Sequence, residues 1–114
     1  FLTKGSDCHE WLYDLCWVKG QIGVPNKFRG LVLITEIEWK NENAILYDFQ
    51  KLTVGVADFR LMVICYGSKN RDQKWVRHII NTCKACCPKR RQYKYLFVAI
   101  PEDKNGIIKE GWCI

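Results

Sequence analysis

The sequence predicts an α/β domain in which helices cover a mixed sheet. Short apolar runs bounded by turn residues alternate with two longer stretches whose apolar residues keep helical spacing. Their order, strand, strand, helix, strand, helix, strand, builds crossovers that should be parallel and right-handed. Composition agrees: 114 residues at 48% hydrophobic and 13% aromatic can hold one globular core and exclude a disordered chain.

Trp11-Leu-Tyr-Asp-Leu-Cys-Trp-Val18 is the first strand, ended by Gly20 and the turn-rich Gly23-Val-Pro-Asn26. Arg29 to Lys40 is the second. Its first half, Leu31-Val-Leu-Ile34, is apolar on both faces, as in a central strand, and its second half turns polar on one face. Asn41 or Asn43 can then cap a helix whose Ile45, Leu46, Phe49, Leu52 and Val56 keep helical spacing, with Gly55 near its end. Asp58 to Tyr66 is a buried strand. Asn70 and Gln73 form a capping box for a second helix with Val76, Ile79, Ile80, Cys83 and Cys87 as its inner stripe and Pro88 as its stop. Tyr93 to Ile100 is the last clear strand, and the C-terminal KNGIIKEGWCI carries no clear period.

No apolar run approaches the roughly 20 residues needed to cross a bilayer, and the opening FLTKGSDCHEW lacks the order of a secretory signal, so a cytoplasmic protein without membrane contact is expected. Seven cysteines, several inside apolar segments, suit a reduced compartment. The net charge of +6 favours an anionic partner such as nucleic acid.

The polar end of the second strand is unusual. In Leu33 to Asn43, LITEIEWKNEN, the residues Glu36, Glu38 and Lys40 alternate and so project from one face. Asp14 is a second anomaly, an acid within an apolar strand, and consecutive strands are usually neighbours. Acids on adjacent strands beside a lysine suit a hard divalent cation, which prefers carboxylate and water oxygens, and such an ion can activate water and stabilise charge on a phosphodiester. A solvated face whose lysine neutralises one glutamate is the competing account.

Asp14, then Glu36-Ile-Glu38-Trp-Lys40, then a helix starting near Asn43, then the buried strand Leu61 to Tyr66, resembles the core of the PD-(D/E)XK nuclease superfamily. The resemblance covers Trp11 to about Tyr66. It implies a three-layer α/β/α architecture with a central mixed sheet, a restriction-endonuclease-like core, a Mg²⁺ or Mn²⁺ cofactor and DNA as substrate. Two registers fit: Glu38-Trp39-Lys40 matches the usual Glu-x-Lys, and Glu36-Ile37-Glu38 matches the variant with a second Glu in the lysine place. The second is preferred because Glu36 lies deeper along the apolar run. Asp14 and Glu36 are then the metal ligands, and Glu38 or Lys40 handles the attacking water. Lys51 on the crossover helix could reach the site, although a lysine beside an apolar stripe is more often a solvated stem. The segment before Trp11 is too short for a full helix plus the first strand of such a core, so residues 1–114 are expected to form a single nuclease-like domain lacking those elements.

Basic residues cluster at Lys69, Arg71, Lys74, Arg77 and Lys84, then Lys89, Arg90 and Arg91, and then Lys94, a patch able to grip a phosphate backbone or to serve as a plain solvated face. Cys83-Lys-Ala-Cys86-Cys87 offers a zinc pair with Cys113, Cys8, His9 or His78 as partners, or simply core residues on the helix stripe. The expected function is metal-dependent hydrolysis of DNA phosphodiesters. The alternative is a non-catalytic module, a degenerate nuclease fold that binds nucleic acid or protein. A homodimer or a larger multidomain setting is compatible with either.

Overall fold

The computed structural model describes residues 2–4, 13–68, 70–89, 93–102 and 106–113. The strands are β1 (Leu2–Lys4), β2 (Leu15–Gly20), β3 (Phe28–Glu38), β4 (Ala57–Tyr66), β5 (Lys94–Pro101) and β6 (Ile108–Cys113). The helices are α1 (Glu42–Val54), between β3 and β4, and α2 (Gln73–Cys86), between β4 and β5. The strands lie side by side in chain order. β1, β2 and β3 form an antiparallel meander, β3, β4 and β5 are parallel, and β6 returns antiparallel to β5. The mixed sheet and both crossovers are therefore as the sequence predicts. β1 and β6 are additions: a three-residue strand is too short to show a period, and the C-terminal tail becomes a strand by pairing with β5.

Two crossovers that advance in one direction along a sheet, each of the usual hand, place both helices on the same face. One continuous core follows, in which Ile45, Phe49 and Leu52 of α1 and Val76, Ile79, Ile80 and Cys83 of α2 meet Ile34, Met62, Ile64, Tyr66, Tyr95 and Phe97 from the sheet. Among the described residues the layers are thus two. The second helical layer of the expected α/β/α arrangement is not among them, and no described element covers the opposite face of the sheet.

The helix ends show how local chemistry sets these elements. Asn41 caps α1, its side chain accepting from the Ala44 N–H at 2.9 Å. The cap of α2 is Asp72 rather than Asn70: Asp72 accepts from the Trp75 N–H at 2.9 Å, while Asn70 sits at φ 63° in the preceding turn, where a left-handed residue cannot serve as a cap. The end of α1 is closed by Arg60 from β4. Its guanidinium, 1% exposed, donates to the carbonyls of Leu52 at 2.8 Å and Ala57 at 3.0 Å and to that of Gly55, and the Tyr93 ring centre lies 3.4 Å away. Orphan carbonyls at a buried helix end need such donors. Gly55 ends the helix at φ −73°, so its use is not a left-handed turn: a Cβ there would collide with the Tyr13 ring and the Ile34 side chain. No helix among the described residues is long and apolar enough to cross a membrane.

Candidate functional site

The polar end of β3 lies where α1 crosses its helix-covered face. Glu36 points inward with the core-facing set and is 1% exposed, whereas Thr35 and Ile37 face the other way. Asp14 stands just ahead of β2 rather than within it, and its Oδ2 accepts from the Ile37 N–H at 2.8 Å. That bond ties the entry of β2 to β3 and sets the Asp14 carboxyl against Glu36. Asp14 and Glu36 are thus brought side by side, while Glu38, the third acid expected beside them, is placed next to Asp48.

The lysine beside Glu36 is Lys51. From α1 its Nζ reaches Glu36 Oε1 at 2.7 Å and Asp48 Oδ1 at 3.2 Å, with the side chain one quarter exposed. Asp48 and Lys51, three residues apart, share one face of α1. The solvated-stem account of Lys51 does not describe it: a buried carboxyl on β3 holds the ammonium. Glu38 lies beside Asp48, and its own Oε1 accepts from the backbone N–H groups of Trp39 and Lys40, both at 2.8 Å. Glu38 thereby shapes the turn into α1. Lys40 follows β3 as an exposed residue whose carbonyl accepts from Arg71.

The electrostatics follow from this packing. Burial pushes the Glu36 pKa up to about 8, Asp14 adding to the rise and Lys51 opposing it. Burial also raises Asp48, with Lys51 opposing and Glu38 adding. For Lys51, burial works to release the proton, but Glu36 and Asp48 outweigh it and hold the pKa above the ordinary lysine value. Protonating Glu36 weakens its hold on Lys51, and at Glu36 burial wins. Burial therefore favours the protonated form of Glu36, while Lys51 keeps its charge. The donor set is carboxylate oxygen throughout, which suits Mg²⁺ or Mn²⁺ with retained water and does not suit zinc. Among the described residues no three His, Cys, Asp or Glu side chains form a closed metal-binding group. Asp14 with Glu36 is a carboxylate pair whose buried member, Glu36, is already in contact with Lys51.

Three residues of the basic patch, Arg71, Arg77 and Lys84, are engaged within the fold. Arg71 donates to the carbonyls of Trp39, at 2.9 Å, and Lys40, and lies over the Trp75 ring. Arg77 and Lys84 share Glu110 of β6, at 2.7 Å and 2.6 Å. These two cations hold the Glu110 carboxyl below the usual range, Lys84 contributing first. Lys74 and Lys89 are exposed and have no carboxylate partner among the described residues. Lys69, Arg90 and Arg91 lie outside the described residues, as do Cys8 and His9. Cys83 and Cys87 are buried in the core, free, with thiol pKa values raised by burial. Both therefore stand as core residues on the helix stripe.

Asp48 was not visible as a site residue from the sequence. Its one signal is the Asp48/Lys51 pair beside the Ile45, Phe49, Leu52 stripe, a spacing shared by many solvent-facing ion pairs. No protein-family model matches the chain, and neither a curated protein nor a solved structure does.

Proposed function

We propose that this chain is a metal-dependent nuclease domain of the restriction-endonuclease-like kind, hydrolysing phosphodiester bonds in DNA. The observation that carries the reading is the pairing of Asp14 with buried Glu36 at the end of β3, with Lys51 of the crossover helix 2.7 Å from the same Glu36. An antiparallel meander feeding a parallel crossover supports it, since that is the order in which the resembled core presents its acids.

In this reading Asp14 and the ionised form of Glu36 hold Mg²⁺ or Mn²⁺, which when bound supplies positive charge to the phosphate and lowers the pKa of a coordinated water. Lys51 takes the role expected of Glu38 or Lys40. Its ammonium is the one brought to the carboxylate pair, whereas Glu38 is spent on the backbone of Trp39 and Lys40. The reaction joins a water oxygen to phosphorus and breaks one ester P–O bond, whose leaving oxygen takes up a proton. Lys51 can orient the water or balance charge on the phosphate. Among the described residues of the basic patch on and after α2, Lys74 and Lys89 are exposed cations without a carboxylate partner, able to meet a DNA backbone.

The degenerate-module alternative is favoured by one observation, that Lys51 already occupies Glu36 Oε1 at 2.7 Å. Calorimetric titration with Mn²⁺ and a plasmid-cleavage assay in Mg²⁺ separate the two readings. Nuclease function requires cation binding that weakens in Glu36→Gln and Asp14→Asn, cleavage that stops on chelation, and a loss of orders of magnitude in Glu36→Ala. Cleavage surviving in Lys40→Ala but lost in Lys51→Met assigns the lysine role to Lys51. Cation binding with no cleavage of plasmid, single-stranded or branched DNA selects the non-catalytic module.

A further inference from the structure

The face of the sheet opposite α1 and α2 is apolar and, among the described residues, uncovered. Strand register sets Trp17, Leu33 and Phe59 side by side across β2, β3 and β4, and in the next row Leu61 and Leu96 beside Gly111. Trp17 is 52% exposed, Phe59 45% and Leu96 43%. Because Gly111 has no side chain, the rows enclose a groove of about 710 Å³ that crosses from β2 to β6. Contiguous exposed apolar surface of this kind marks an interaction site. Parallel strands such as β3, β4 and β5 are almost always covered on both faces, and by helices.

Charge narrows what the cover can be. Lys94 and Lys109 stand in register with Phe59 and Val98 on this face, and neither has a carboxylate partner among the described residues. Asp58, at the same end of β4 as Phe59, is paired with Lys19 at 2.7 Å. A second copy would bring an acid-poor, lysine-bearing face against itself. We propose that this face docks an amphipathic helix of a partner protein, apolar along one side and carrying Asp or Glu on the flanks that meet Lys94 and Lys109. Five strands about 4.8 Å apart span about 19 Å, which a helix of about 18 residues, about 27 Å long, covers with a turn to spare. The inference does not depend on the nuclease reading, because the groove lies on the other side of the sheet from Glu36.

The test uses the 114-residue chain and two labelled helical peptides of about 18 residues, identical along a Leu face and flanked by Glu in one and Lys in the other. By fluorescence anisotropy the Glu peptide should bind at least about tenfold more tightly than the Lys peptide, a difference of about 1.4 kcal/mol. The double variant Lys94→Glu, Lys109→Glu should reverse that order. Phe59→Glu should abolish binding, with Leu96→Glu as a second probe should the first not fold. Equal affinity for the two peptides, no binding of either, or an unchanged order in the double variant overturns the proposal. So does a dimer of the chain alone in sedimentation velocity that Phe59→Glu dissociates, which would make a second copy the occupant.

Discussion

Replacing Glu36 by Gln should change how folding stability depends on pH. The folded-state pKa of about 8 stands above the ordinary value of 4.5, so the native state holds the proton more tightly than the unfolded chain. The sign follows directly: this contribution is fully present below about pH 4.5 and is lost as pH rises through about 8. Between pH 5.5 and 7.5 the native state keeps close to one more proton than the unfolded state. Stability should then fall by about 1.4 kcal/mol per pH unit on account of this residue, or up to roughly 3 kcal/mol across the window. Gln has the same shape and does not titrate, so Glu36→Gln should be flatter by that amount. Urea unfolding followed by tryptophan fluorescence at pH 5.5, 6.5 and 7.5 gives the comparison. Parallel curves for the two proteins would refute the reasoning and mean that Glu36 is ionised throughout, held by Lys51 2.7 Å away. Adding millimolar Mg²⁺ extends the test, because a cation that binds ionised Glu36 must displace its proton. Stabilisation by Mg²⁺ should be larger at pH 7.5 than at 5.5 and should nearly vanish in the Gln variant. If Mg²⁺ has no effect while the proton linkage remains, the carboxyl is structural and the metal reading fails.

Three further outcomes probe the scaffold around the site, each read by urea unfolding. Arg60→Met leaves the carbonyls of Leu52, Gly55 and Ala57 without their donor at a buried helix end and should cost about 3 kcal/mol; a loss below about 1 kcal/mol would show that water replaces the guanidinium. Gly55→Ala drives a methyl into Tyr13 and Ile34 and should cost about 1 to 3 kcal/mol, whereas a gain in stability would mean that the Tyr13 ring moves aside freely. Asp72→Ala should cost about 1 kcal/mol as the loss of a helix cap, and Asn70→Gly should be nearly neutral because φ 63° suits glycine; the reverse order would return the cap to Asn70.

The elements of the central sheet were legible because their signals are local. The apolar run Leu31 to Ile34, the helical spacing of Ile45, Phe49 and Leu52, and the stripe from Val76 to Cys83 each lie within one stretch of chain, and the crossover rule joins them. Alternation in Glu36-Ile-Glu38 likewise showed which side chains share a face. What alternation cannot show is depth. Glu36 and Glu38 point the same way, yet Glu36 lies beneath α1 and is buried, while Glu38 sits at the strand end and turns back onto its own backbone. The difference comes from where α1 crosses, a property of the whole fold.

The same limit decided the lysine. Lys40 follows the acids in sequence, and the literal motif points to it, but four residues beyond the buried Glu36 it has already left the sheet as an exposed residue. Lys51 is fifteen residues from Glu36 and returns to it because a helix starting at Glu42 brings its third turn back over the strand it left. A buried carboxyl must keep its proton or find a cation. Glu36 does part of each: its pKa rises to about 8, and Lys51 crosses from α1 to meet it. A group poised between those two states responds to either pH or a divalent ion, and the same pair of experiments, the pH series and the Mg²⁺ addition, tells which of them the fold was built to answer.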